Sequence, residues 1–426
     1  MSLGTVLRET AARQWALWVV FAVVHAWLWL LNLTAPGFPL GDVDWAYLPW
    51  VEQGLQNDVW RGIDTSWVYP YVALAPMLVA YLGGPAAYAE SWLAVVTVLN
   101  AAALLCLSGV GARVRHAMAA WWWMLFLALL GPIALGRIDA ITAPLAVAAV
   151  TLLARRPRIA AALLALGAWI KIWPGALLLA AAVVSRQRAA VIGAAAGLSA
   201  AVVALGLAMG AGAVLLSPIT EQAGRGLQVE SAVATAWLWA AFAGAWNATV
   251  YYDDALLTFQ VAGDGVDSVA AVMTPLLAVG VATLVLLAVV AHRRGADPER
   301  VLPLLGLALV TVLVLLNKVG SPQFGVWLAA PIVLGLLAQR GRGVRFGAPA
   351  ALALAIAALT QVIYPVLYGQ LLSLNPMMLV VISVRNLLWA VLLGWAVLQL
   401  VRLLREPRAG MRGRLGAPPL TQGASS

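Results

Sequence analysis

Apolar runs of membrane-spanning length recur along this chain from residue 15 to residue 404. A bilayer core holds no water to satisfy backbone N–H and C=O groups. Each crossing segment must satisfy its own, and a helix of about 20 apolar residues does so. Runs of this kind restrict the chain to an all-α polytopic membrane protein. The balance of 63% hydrophobic against 10% charged residues agrees, because soluble domains carry far more charge. The first run, 15–33, is long enough to span and lacks a small-residue cleavage site. It reads as a retained helix and not as a signal peptide.

The net charge of +9 raises nucleic acid as a partner, and its distribution argues against it. Arginines gather at Arg8/Arg13, Arg113/Arg115, Arg155/Arg156/Arg158, Arg186/Arg188, Arg293/Arg294/Arg300, Arg340/Arg342/Arg345 and from Arg402 to Arg414. All lie between or beyond apolar runs, as the positive-inside rule expects of cytoplasmic loops. Most carboxylates fall in the other loops. Chemistry is therefore expected at the extracytoplasmic face of a multi-pass protein of the plasma membrane. The single Cys106 sits in an apolar run, and His25, His116 and His292 are far apart. No disulfide, cofactor or Cys- or His-based metal site is expected, which leaves the Asp42/Asp44 carboxylates as the one place for a metal.

Tracing the loops gives about ten to twelve transmembrane or half-membrane helices in one domain, 1–404. A basic, then Gly/Pro/Ser-rich tail, 405–426, is expected to be disordered in the cytoplasm. Two places cannot hold full spans. Two apolar runs between residues 67 and 110 must make one net crossing, and the first, 68–82, is the shorter. Between Arg158 and Arg186 only about 26 residues are available where two spans need about 40. Two half-length helices meeting near Lys171 and Pro174 fit that length. Broken backbone within a membrane is tolerated only where protein covers it or a wet cavity adjoins it. This places Lys171 at a hairpin tip facing a cavity. The segment 217–268 lies outside, with a short apolar stretch at 232–245 and strand-like alternation over 249–263.

Only two of the 26 basic residues are lysines, Lys171 and Lys318, and both have apolar surroundings. An ionisable group inside a membrane segment is a functional-site candidate, and an ammonium holds a phosphate as a point charge. Arg61, Arg137, Arg225 and Arg385 also escape the cytoplasmic clusters. Asp42 and Asp44 follow the first helix, where a carboxylate can act as general base on a sugar hydroxyl or simply cap a helix. Gly136-Arg137-Ile138-Asp139 offers a guanidinium fork for phosphate with a carboxylate to orient it, or a local ion pair at a helix start. Arg225, Gln228 and Glu230 share one outer stretch. Lys318, Ser321 and Gln323 occupy a break between two helices, and Arg385 is embedded in the outer half of its helix. Tyr47, and Tyr69 in Trp67-Val68-Tyr69-Pro70, suit the interfacial belt and stacking on a sugar. Such a set fits an anionic amphiphile whose tail lies in the bilayer and whose phosphate sits at the surface.

The Asp after helix one, Tyr69-Pro70, Arg137-x-Asp139, Trp169-Ile-Lys171-Ile-Trp-Pro174 and Asn317-Lys318-x-x-Ser321-Pro322-Gln323 resemble glycosyltransferase family 87. These are actinobacterial membrane mannosyltransferases of the GT-C type. The resemblance covers about 15–400. It implies a GT-C-like bundle with extracytoplasmic loops, a polyprenyl-phosphate-mannose donor, a lipid or glycan acceptor, an inverting displacement and an Asp base in the first outer loop. The family commonly sets that Asp four residues before the Tyr. Here Tyr47 follows Asp42 by five and Asp44 by three, which favours Asp42 with Asp44 second. A transporter or flippase of an anionic lipid-linked sugar would share the basic cavity and broken helices; no convincing internal repeat supports it. A glycan polymerase or ligase, releasing a lipid diphosphate, is the third reading.

Overall fold

A computed structural model describes residues 9, 11–254, 256–339, 341 and 343–406. Arg8, Arg340, Arg342 and the tail from residue 407, which the topology reading used, lie outside the described residues. Apolar runs become helices wherever proline and glycine allow. α1 (Gln14–Thr34) is followed by a π-helical turn (Val43–Tyr47) and α2 (Leu48–Asn57). A 3-10 turn (Tyr71–Ala73) precedes α3 (Leu74–Tyr81), α4 (Tyr88–Ser108) and α5 (Ala117–Leu130). Then come α6 (Asp139–Leu152), α7 (Pro157–Ile170), α8 (Pro174–Val184) and α9 (Arg188–Ala208). The next segment holds α10 (Ser217–Ala223), α11 (Thr235–Phe242) and an antiparallel hairpin, β1 (Thr249–Asp253) and β2 (Thr258–Ala262). The chain ends with α12 (Val266–Arg293), α13 (Pro298–Leu315), a 3-10 stretch (Pro322–Leu328) running into α14 (Ala329–Ala338), α15 (Gly347–Ile363), α16 (Tyr368–Leu372) and α17 (Pro376–Arg405).

Among the described residues seven helices are long and apolar enough to cross a membrane: α1, α4, α5, α9, α12, α13 and α17. Six further apolar helical segments are shorter. The chain is an all-α polytopic membrane protein. Proline opens α7, α8, α13 and α17, where its missing N–H leaves no bond unmade. Gly109 and Gly131, at φ 75° and 71°, close α4 and α5.

The two short regions behave as their lengths dictate. The run at 68–82 yields only the eight-residue α3, and α4 makes the crossing. α7 and α8 have 14 and 11 residues, so they reach about 21 and 17 Å against a core of about 30 Å. They meet at Lys171, whose extended backbone (φ −150°, ψ 129°) ends α7. α9 then runs parallel to α7, and the Trp169 indole donates to Ser199 Oγ at 3.0 Å.

One end of the bundle collects the arginine loops. Arg13 bridges to Arg113 and Gln14 bonds Ser108 and Gly109. Arg186 reaches Asp297, and Arg300 holds Glu406. The opposite end carries Asp42, Arg137 and Lys171. The main core runs through the bundle, with Trp92, Trp123, Trp173 and Phe126 fully buried. A second core at the Lys171 end joins Leu227, Val229, Leu238, Val261, Leu371 and Leu379, seating the hairpin and α11 on α16 and α17.

Two loops at that end touch through backbone. Gln228 N donates to Lys318 O at 3.0 Å, and Gly320 N donates to Gln228 Oε1 at 3.2 Å. A Cβ on Gly320 would collide with the backbone of Glu230 and Ser231. Gly320→Ala is therefore expected to lower stability by about 1–3 kcal/mol, read as a fall in the unfolding midpoint of detergent-purified protein. An unchanged midpoint would show that these loops do not seat against each other.

Candidate active site

The site is built where four backbone breaks meet: after α1, before α6, between α7 and α8, and between α13 and α14. α6 begins at Asp139 itself, directly after the turn that carries Arg137. Arg137 is buried and fully engaged. Its Nε pairs with Asp42 Oδ2 at 3.2 Å, Nη1 donates to the carbonyls of Pro39 and Gly136, and Nη2 donates to Tyr364 Oη. Asp42 keeps 42% of its side chain exposed, so one face of the carboxylate stays open. Tyr47 lies beneath, fully buried, with its hydroxyl accepting from Ile138 N at 3.0 Å. It props the turn that presents Arg137.

Deeper, Lys171 Nζ lies 3.7 Å from Asp139 Oδ2, at side-chain exposures of 13% and 0%. The other Asp139 oxygen accepts from Trp327 Nε1 at 2.6 Å. Trp327 stacks between Phe324 and Trp173, and Trp173 donates to Thr142 on α6 at 2.9 Å. The Lys171 ammonium sits 4.5 Å from the centre of the Tyr69 ring, a cation–π contact. Tyr69 is within electrostatic reach of Lys171, Asp42, Asp139 and Arg225. Asp42, Arg137, Tyr69, Asp139, Lys171 and Arg225 therefore form one electrostatic cluster, in which Asp42 is the more exposed carboxylate and Lys171 is held by buried Asp139.

The other candidates fall elsewhere. Asp44 is on the opposite side of the π-helical turn, near Tyr88 and Glu90. Burial and the Glu90 charge push its carboxyl up. Arg385 is 4% exposed and closed upon itself: Nη1 donates to Glu230 Oε2 at 2.7 Å, Nη2 to the Glu230 carbonyl, and Nε to Asn386. Glu230 and Arg385 thus tie the segment after α10 to α17. Gln228 bridges the Lys318 loop and β2. Ser321 lines a small cavity beside Glu230 and Arg385, and Gln323 and Lys318 are buried. Arg61 donates to Gln53 at 3.2 Å, not to the cluster.

Two partners were not singled out in the sequence. Tyr364 follows α15 and grips Arg137, 227 positions away in the chain. Trp327 orients Asp139 across 188 positions. The one local signal is Tyr364-Pro365, which repeats the Tyr-Pro of Tyr69-Pro70 at the end of an apolar run.

Residues 67–217 match the model of Glycosyltransferase family 87. No curated protein matches the chain. The matched stretch supplies Tyr69, Arg137, Asp139 and Lys171, and leaves Asp42 to the residues before it. The likeness to family 87 covers about a third of the chain, set among several helices of membrane-spanning length, and indicates a membrane glycosyltransferase.

Proposed function

We propose that the chain moves a hexose, mannose by its resemblance, from a polyprenyl-phosphate-linked donor to a hydroxyl of a lipid or glycan acceptor, with inversion, at the extracytoplasmic face of the plasma membrane. The observation that carries this reading is the half-exposed Asp42 carboxylate held on Arg137, with the buried Lys171–Asp139 pair within electrostatic reach of it. A base must meet the acceptor, and the cations must meet the leaving group. Exposure separates those tasks, with Asp42 at 42% and Lys171 at 13%.

In the step, the acceptor oxygen attacks the anomeric carbon while its proton passes to Asp42. The bond from that carbon to the phosphate oxygen breaks, and the electron pair leaves with the polyprenyl phosphate. A single displacement inverts the anomeric centre. The Arg137 contact aims Asp42, and positioned proton transfer of this kind contributes about 10²–10⁴ in rate. Lys171 and Arg225 neutralise the phosphate as its charge grows, and such electrostatic stabilisation is usually the largest single contribution. No protein-bound metal is needed for this charge balance.

Asp42→Asn should lower kcat for transfer from polyprenyl-phosphate-mannose by about 10²–10⁴, whereas Asp44→Asn should stay within a few fold of wild type. Full activity in the Asp42→Asn/Asp44→Asn double variant would remove the base assignment. A protein that moved the lipid across liposomes and released no polyprenyl phosphate would favour a transporter.

The Lys171–Asp139 pair separates structure from chemistry. Lys171→Met leaves Asp139 buried without its counter-ion and should destabilise by about 3–5 kcal/mol. Adding Asp139→Asn should restore most of the unfolding midpoint without restoring transfer. Recovery of transfer in that double variant would show that the lysine serves only as a structural counter-ion.

A further inference from the structure

At the end of the bundle far from Lys171, a groove of about 280 Å³ opens between the α6–α7 turn and the start of α9. Arg156, Pro157, Arg158, Ile159, Gln187 and Ala190 line it. We propose that this groove binds the phosphate headgroup of an anionic membrane lipid.

Three features of the groove fit that occupant. The first is charge. Two guanidinium groups and an amide face the opening, and no carboxylate does. Among the described residues neither Arg156 nor Arg158 forms an ion pair. The nearby Arg186 is turned away to Asp297 at 3.7 Å. A guanidinium fork matches phosphate oxygens in two-point geometry. The parallel helices α7 and α9 add to this, since both begin at the groove with no side-chain cap and no acid in the first turn.

The second feature is the floor. Pro157, Ala190 and Ile159, which is 43% exposed, present apolar surface beside the arginines. A soluble anion gains nothing from that surface, whereas the glycerol backbone and first methylenes of a phospholipid cover it. The third is depth. α7 rises about 21 Å from the groove to Lys171, less than a hydrocarbon core of about 30 Å. The groove thus lies one short helix, and not one full span, from Lys171. The arginine-rich end also faces the leaflet where anionic lipids concentrate. A lipid phosphate held here joins the two turns at the base of the α7–α8 hairpin, whose tip presents Lys171. The site is distinct from the transfer chemistry and does not rest on it.

The test uses full-length protein purified in nonionic detergent, titrated with phosphatidylglycerol or phosphatidylcholine and read by native mass spectrometry and by the unfolding midpoint. Phosphatidylglycerol should bind and raise the midpoint; phosphatidylcholine and inorganic phosphate at equal concentration should not. Arg156→Gln/Arg158→Gln should weaken phosphatidylglycerol binding by roughly tenfold or more. Ala190→Phe keeps every charge and fills the groove, and should weaken it comparably even where the arginine pair variant folds poorly. Arg113→Gln/Arg115→Gln, at another arginine loop, should leave it within about twofold. Equal binding of the two lipids, wild-type binding by Ala190→Phe, or an equal loss in the Arg113/Arg115 variant would overturn the proposal. Equal protection by inorganic phosphate would also overturn it, assigning the groove to a soluble anion.

Discussion

A helix that stops inside a bilayer must hand its unpaired backbone and any charge at its end to neighbouring protein. The α7–α8 hairpin stops there, with Lys171 at its tip, and the surrounding packing answers that demand. Asp139 lies opposite the ammonium with no exposed surface. Trp327 fixes the far oxygen of Asp139, Trp173 ties the hairpin to Thr142 on α6, and the Tyr69 ring faces the ammonium. Three separate breaks in the helical bundle are thereby locked to one buried ion pair. Isolated, such a pair repays its desolvation poorly. Here Trp327 satisfies one Asp139 oxygen and the Tyr69 ring faces the ammonium, while the other Asp139 oxygen has only the 3.7 Å ionic contact.

Asp42 and Asp139 show how environment divides work between identical side chains. Asp139 has lost all contact with solvent and serves Lys171. Asp42 touches Arg137 along one edge and keeps the other open. Only the second keeps a face open to solvent. Arg137 belongs to neither group alone, since its remaining donors are spent on Pro39, Gly136 and Tyr364. That engagement makes it a fixed member of the cluster. The pair of Arg385 and Glu230 is tighter still, with guanidinium donors committed to Glu230 and Asn386. It anchors the segment that carries Gln228, which in turn seats against the Lys318 loop.

Length and hydropathy made most of the fold legible. The half-length hairpin followed from counting residues between two arginine clusters, the short α3 from a parity argument, and the β1–β2 hairpin from alternation. The helical turn after α1 was not legible. Read as a loop, Asp42 and Asp44 look equivalent; in a helical turn two residues two apart point to opposite sides, and so Asp44 faces Glu90 instead of Arg137. Tyr364 and Trp327 were invisible for another reason. Each acts on a partner some 200 positions away, and an aromatic residue at the end of an apolar run looks the same whether it faces lipid or a guanidinium. Arg385 shows the converse: an embedded arginine stands out in the sequence, but its saturation by Glu230 depends on a loop brought in from the middle of the chain.

The cluster draws on three parts of the chain with different duties. Residues before position 67 bring Asp42. The matched stretch, 67–217, brings the cations that face the buried side, Lys171 and Arg137, on elements braced against one another. The part beyond it brings Tyr364 and Trp327, which touch these groups without lying between them, and the segment with α11 and the hairpin that roofs the same end. Because the roof is joined to the bundle mainly through its own apolar core and the Glu230–Arg385 pair, its outer face can vary without moving Lys171. The Lys171–Asp139 pair can thus stay rigid while the outer surface of a separate, clamped segment is reshaped.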